Sequence, residues 1–267
     1  MQANFAMKRK PSLFYLDPYP NNQRIILLIH GLGSDSSSWQ LQFPALNDLG
    51  YRPIAIDLPG FGRSPYPLKI WRIRRVTNWI AQEIMDSFSE PIEVMGLSLG
   101  GVIAQKLAQV RPQKVKRLIL VSTFSRLHPR LRKNFPYLRS RIIQIFSGRL
   151  KEQAQNVADH IFPQPDQKLW HDYLYDQICH ANIRVYRQAM LELAKFSSFR
   201  FLRTLKIPVL VITGSADNTV SLEDQALLAR RIPGSTHIFI QGGRHAVNVD
   251  HAQEFNAAIS KFLSQKI

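Results

Sequence analysis

The chain has one cysteine, Cys179, in 267 residues. A lone thiol excludes an internal disulfide and any zinc site built on several thiolates, so Cys179 reads most simply as a small buried residue. Long apolar runs are missing as well. Nowhere do about 18 apolar residues follow one another, and no segment reads as a membrane-spanning helix. The opening stretch carries Lys8, Arg9 and Lys10 but lacks the apolar core of a secretory signal. A protein that stays in the cytoplasm is the expectation. Acidic residues are scarce: 19 Asp and Glu stand against 35 Lys and Arg, a formal charge of +16. That excess favours anionic partners. No helix-turn-helix, zinc-finger or RNA-binding pattern accompanies it, so specific nucleic-acid binding is not expected. Repeats and low-complexity tracts are absent too. What remains is ordinary globular composition, 45% hydrophobic and 20% charged, and the length suits one large α/β domain with an insertion, or at most two domains.

Within that composition the stretch Gly96-Leu97-Ser98-Leu99-Gly100-Gly101 stands out. An apolar run, Ile92 to Met95, leads into it as a buried strand, and Leu99 to Val110 follows with apolar residues at helical spacing. Between them the chain must turn sharply. Gly96 and Gly100 remove side chains that would collide there and leave Ser98 strained at the carboxyl end of the strand, with its hydroxyl exposed. The N–H of Leu99, at the positive end of the helix, points to where an oxyanion would form. A glycine-softened turn holding an ordinary serine is the alternative. The rest of the chain decides between them.

Strands are expected over Ser12 to Leu16, Arg24 to Ile29, Tyr51 to Ile56, Leu118 to Val121, Pro208 to Ile212 and His237 to Ile240, with helical periodicity between most of them. Such alternation predicts a mostly parallel sheet covered on both faces, whose sites lie at the carboxyl ends of the strands. His30-Gly31-Leu32-Gly33 follows one such end, and Leu32 there offers a second N–H opposite that of Leu99. The helix after it is expected to begin near Ser36 to Ser38. His30 reads as a brace for the loop, and Asp57, which opens a Pro-Gly turn, reads as structural. Asp217 and His245 each stand just beyond a predicted strand, 28 residues apart. Ser98, Asp217 and His245 therefore occur in the order nucleophile, acid, base that is expected on this kind of sheet.

From Leu13 to Phe262 the chain resembles the α/β-hydrolase superfamily of esterases, lactonases and dehalogenases. The resemblance rests on His30-Gly31-Leu32-Gly33, on Asp57-Leu58-Pro59-Gly60-Phe61-Gly62-Arg63-Ser64 and on the serine turn. It implies Ser98 as nucleophile, His245 as base and then acid, Asp217 as the carboxylate that orients it, and the N–H groups of Leu32 and Leu99 as the oxyanion hole. A serine in that position argues against a dehalogenase. Two departures are visible: Ser221 stands where the family often has Pro, and Arg244 where it usually has Gly. The resemblance further implies an α/β-hydrolase core over 1–123 and 207–267, a helical cap over 124–206, ester hydrolysis through an acyl-serine, and no cofactor or metal.

Substrate is less legible. The chain is similar both to pimeloyl-carrier methyl esterases and, through His245-Ala246-Val247-Asn248-Val249-Asp250, to 3-oxoadipate enol-lactonases. A ligand receptor or signalling protein of the same fold is the reading from another class. In the cap, Arg126, Arg130, Arg132, Lys133, Arg139, Arg141, Arg149 and Lys151 occur without an intervening Asp or Glu. Either they form a solvated basic face, or they steer an acidic carrier protein toward the pocket.

Overall fold

The computed structural model describes residues 12–66, 69–127 and 135–265. Seven strands form one sheet: β1 (Tyr15–Leu16), β2 (Arg24–Ile29), β3 (Tyr51–Ile56), β4 (Ile92–Leu97), β5 (Val115–Val121), β6 (Val209–Gly214) and β7 (Thr236–Ile240), in the spatial order β1-β3-β2-β4-β5-β6-β7. Only β1 runs antiparallel, against β3; every other pair is parallel. The first strand is shorter than its sequence predicts. Phe14 instead accepts a hydrogen bond from Asp57 N–H outside the named strands.

The helices in chain order are α1 (Phe43–Asp48), α2 (Ile73–Glu83), α3 (Leu99–Val110), α4 (Phe135–Phe146), α5 (Leu150–Ile161), α6 (Lys168–His180), α7 (Ile183–Lys195), α8 (Leu222–Arg231), α9 (Val247–Asp250) and α10 (Ala252–Leu263). The predicted helix at Ser36 is a 3₁₀ segment, Ser36–Gln42, capped by the Asp35 carboxylate rather than by a serine. Helix α2 ends at Glu83, with Ile84 as its C-cap. Cys179 is half-buried. Among the described residues no helix is long and apolar enough to cross a membrane.

Unbroken apolar strands follow from having a core on both faces of the sheet. Leu27, Ile29, Val94, Leu118, Leu120, Val209 and Val211 point to one side, where α2, α3 and α8 pack. Ile26, Leu28, Met95, Ile119, Val121, Leu210 and Ile212 point to the other, against Trp39, α1 and α10. Helices α4 to α7 all fall between β5 and β6, and their apolar faces join the first of these cores through Ile145, Val157, Ile178, Val185 and Tyr186. The insertion thus packs on the same side as α2 and α3, above the carboxyl ends of the strands.

Candidate functional site

Ser98 joins β4 to α3 with φ +54° and ψ −112°, a left-handed conformation that a residue with a Cβ seldom adopts. The surrounding contacts enforce it. Ser98 N–H donates to Val121 O at 2.9 Å, and Ser98 O accepts both Val102 N–H at 3.1 Å and the Thr123 hydroxyl at 2.8 Å. A methyl on Gly96 would lie 2.2 Å from Gly100 O, and one on Gly100 would lie 2.0 Å from Ile29 O. Only glycine lets those backbones meet. The serine side chain does not cap α3, although it stands at the N-cap position, so helix capping does not account for it.

The oxyanion-loop candidate lies directly against Ser98: a methyl on Gly31 would sit 3.6 Å from Ser98 Cβ. His30, fully buried, holds this loop. Leu58 N–H donates to its Nε2 at 2.8 Å, which leaves the ring proton on Nδ1, 2.7 Å from Gly31 O. Burial lowers its pKa, so the neutral imidazole that this pairing needs is the stable form. Asp57 is a second brace. Its carboxylate accepts Ser36 N–H at 2.8 Å and Arg63 N–H at 2.7 Å.

Asp217 and His245 sit on two turns that the structure fuses. Ala216 N–H donates to Gly243 O at 2.8 Å, and a methyl on Gly214 would lie 2.3 Å from that same oxygen. The His245 Nδ1 to Asp217 Oδ2 distance is 3.0 Å, with both side chains buried. Asp217 also accepts Thr219 N–H at 2.8 Å, Val220 N–H at 3.1 Å and the Gln225 amide at 2.9 Å. It does not cap α8, a task done by Ser221, whose hydroxyl accepts Asp224 N–H at 3.1 Å. Asp250 accepts Arg244 N–H at 2.8 Å and closes the turn that carries His245.

Ser98, His245, Gly31 and Leu32 line one cavity of about 310 Å³. Ser98 and His245 are not hydrogen-bonded to each other among the described residues. Such bonds are often long in free enzymes and tighten around substrate. Much of the remaining wall comes from the insertion, through Leu127, Phe146, Val157, Trp170, Tyr173 and Leu191 among others, and the rest from the strand-end loops, with Ser34, Thr219 and Val249 among them. Arranged this way, an imidazole with its Nδ1 proton held by a carboxylate can present a basic Nε2 to a hydroxyl. Among the described residues no cluster of three His, Cys, Asp or Glu side chains converges as a metal site.

Several groups at the site were not singled out in the sequence. Gln225 carries no motif and reaches Asp217 only because α8 folds back over the acid's turn. Tyr173, on α6, donates to the Asp35 carboxylate. His160, on α5, lies 3.2 Å from Asn218 O, next to the acid. The expected basic face also changes. Arg141 points inward: it is 9% exposed, lines the cavity and donates to the Tyr186 hydroxyl at 3.1 Å. A face of solvated like charges cannot include it, because α4 turns this position toward the core. Arg126 stacks on Phe199, with its guanidinium carbon 4.2 Å from the ring centre, and Arg149 pairs with Glu152 at 3.1 Å. Arg139 and Lys151 are exposed. Arg130, Arg132 and Lys133 lie outside the described residues.

Residues 24–252 match the family model described as alpha/beta hydrolase fold. The pimeloyl-[acyl-carrier protein] methyl ester esterase of Aeromonas hydrophila is 27% identical over 248 residues, covering 89% of this chain and 94% of its own length. Among solved structures, an enol-lactonase from Burkholderia xenovorans LB400 superposes with a TM-score of 0.83 at 23% identity, covering 95% of this chain and 96% of that one. A bromoperoxidase from Bacillus anthracis superposes with a TM-score of 0.84 at 24% identity, covering 95% of each. At that identity the two structures establish a shared fold, and their differing names show that the fold alone does not select a reaction.

Proposed function

Because the chain belongs to the α/β-hydrolase family, we propose that it is a serine hydrolase of carboxylic esters, with lactones or thioesters as close variants, working through an acyl-Ser98 intermediate. The observation that carries this reading is the buried Asp217–His245 pair opening on the same cavity as a strained, uncapped Ser98. His245 takes the proton from Ser98 as the hydroxyl attacks the ester carbonyl, then passes it to the leaving alcohol. Water repeats the sequence in reverse and frees the acid. Asp217 holds the Nδ1–H tautomer and stabilises the imidazolium. The N–H groups of Leu32 and Leu99 stabilise the tetrahedral oxyanion, Leu99 with the help of the α3 dipole. The route requires no cofactor. In this reading the segment 124–206 is a cap that shapes the pocket over a core made of 1–123 and 207–267.

A second reading, a methyl esterase acting on a carrier-bound acyl chain, is favoured by one feature of the rim. Exposed Ile142, Phe146 and Leu191 line the cavity, and Arg139, on the same helix as the first two, is exposed as well. An acidic carrier delivering an apolar arm would meet both kinds of surface.

A panel of short-chain p-nitrophenyl esters and a fluorophosphonate probe test the first reading together. Turnover is expected in the wild type and none above background in Ser98→Ala, with the phosphonyl adduct mapped by mass spectrometry to Ser98. An adduct on another serine, or full activity in the variant, overturns the assignment. Absence of turnover across the panel together with ligand binding would favour a receptor of this fold.

A further inference from the structure

We infer that Gln225 is a positioning residue for the proton transfer: its side-chain amide fixes the plane of the Asp217 carboxylate, and through it the imidazole of His245. This deepens the serine-hydrolase reading and rests on it.

The acid's own geometry calls for such a residue. The torsion that turns a carboxylate about its Cβ–Cγ bond is broad, so an aspartate does not set its own plane. His245 does not set it either, because its Nδ1 stands 3.0 Å from Oδ2 and 3.2 Å from Oδ1. Oδ1 is anchored by the N–H groups of Thr219 and Val220, which belong to the acid's own turn. Apart from His245, the donor to Oδ2 among the described residues is Nε2 of Gln225, at 2.9 Å. A carboxylate held by one oxygen can swing about it. One held by both cannot.

Gln225 is placed for this task. It is fully buried on the inward face of α8, with Asp224, Leu228 and Ala229. Its Nε2 also donates to Val220 O at 3.0 Å, while Val220 N–H donates to Oδ1, so Asp217, Val220 and Gln225 close a ring of hydrogen bonds. The amide can face only one way. Turned over, its oxygen would meet Oδ2 and Val220 O, both of them acceptors. The Oε1 of Gln225 has no hydrogen-bond partner among the described residues. A buried amide with an idle acceptor is a costly way to fill space, and a leucine or methionine would fill it without that penalty. What the side chain contributes is its donors. Gln225 does not line the cavity, so it acts on the chemistry through the acid alone.

Two substitutions and one spectroscopic signal give the test. Gln225→Leu removes the donors with little change of volume. With p-nitrophenyl butyrate at pH 7.5 its kcat is expected to fall about tenfold, the order set by one hydrogen bond to a charged group, while KM stays within about twofold of the wild type. Gln225→Glu keeps the shape and can donate to Oδ2 only while protonated, a form that burial beside the Asp217 carboxylate favours. The other charged or titratable groups around the acid are His245, His160 from α5, which Arg141 also influences, and buried Asp224 on α8. The ratio of wild-type to Gln225→Glu kcat should rise by about threefold or more from pH 6.5 to pH 9, as that proton is lost. The Nδ1 proton of His245, held by a carboxylate, gives a far-downfield proton NMR signal, identified by its loss in His245→Gln. This signal reports on the pair whether or not an ester is turned over. In Gln225→Leu it is expected to move upfield or broaden as the carboxylate loosens. An unchanged signal, a wild-type kcat in Gln225→Leu, or a Gln225→Glu ratio that is flat with pH overturns the inference. So does a downfield shift, which would make Gln225 a rival of His245 for Oδ2. If Gln225→Leu does not fold, the pH dependence of Gln225→Glu decides. A signal that moves in a protein without ester turnover leaves the hold of Gln225 on the pair standing and sinks the hydrolase reading; turnover that neither substitution alters does the reverse.

Discussion

The turns at the strand ends and the helical insertion above them build the same cavity by different means. In the turns, backbone meets backbone: Gly96 against Gly100, Gly100 against Ile29 and Gly214 against Gly243, at separations that exclude even a methyl group. The insertion reaches the site through side chains, with Tyr173 on Asp35, Ile178 and Tyr186 over Gly33, and Arg141 in the wall. Backbone contacts of this closeness tolerate almost no variation in sequence. Side-chain contacts can be exchanged without disturbing the sheet. The chemistry is therefore assigned to the first region and substrate choice to the second, and each of the following experiments can break that division.

The largest effect is expected from Asp217→Asn. Two backbone N–H groups, from Thr219 and Val220, point at Oδ1, so the amide oxygen of an asparagine would settle there. Its NH₂ would then face the Gln225 amide and His245 Nδ1, both of which the native carboxylate satisfies as donors. The imidazole would be driven to the wrong tautomer. A fall in kcat on the order of 10⁴ is expected, with the folded structure retained. A comparable fall in kcat from Trp170→Ala or Tyr173→Phe, in the insertion, would break the comparison.

Glycine substitutions sharpen it next. Gly100→Ala sets a methyl against the main chain of Ile29, which has no rotamer to yield, and should cost at least about 3 kcal/mol in urea denaturation. Gly148→Ala, between α4 and α5, meets nothing nearer than an Arg187 terminal nitrogen at 3.9 Å. Only its φ of +82° resists the change, for about 1–2 kcal/mol. Equal costs would mean that the two regions are packed alike.

The same division explains what could be read before the fold was known. Close backbone approach leaves glycine at fixed spacing, and a buried parallel strand leaves an unbroken apolar run, so the sheet, the serine turn and the bounds of α3 were legible. The Asp217–His245 pairing was expected from their places just beyond predicted strands, from chain order and from the family resemblance. Hidden were contacts set by how one helix lies on another: Gln225 to the acid, Tyr173 to Asp35, and the inward turn of Arg141 within a run of basic residues. A charge run in sequence cannot say which of its members faces the core. Asp35 was missed as the cap of the 3₁₀ segment because three serines beside it have equal capping propensity, and only the backbone angles distinguish them.

The smallest expected effect is on stability against pH, and it probes the brace beneath the oxyanion loop. The pKa of His30 is lowered from 6.5 because burial disfavours the imidazolium. An added proton at Nε2 would also confront Leu58 N–H. The unfolded chain then binds more protons than the folded one at pH values between the folded pKa and 6.5. Stability from this residue is full above about pH 6.5 and is lost as pH falls toward the folded value, by up to about 1.4 kcal/mol per pH unit. His160 and His237, also lowered by burial, act in the same direction, whereas His171, raised by Asp159 and Asp172, opposes them. The contribution of His30 is isolated by His30→Gln, whose amide can accept from Leu58 and donate to Gly31 but does not titrate. Urea midpoints measured from pH 7.5 to 5 should fall less steeply in that variant than in the wild type. Parallel curves would show that His30 binds protons alike in the folded and unfolded chain and contributes nothing to the pH dependence of stability.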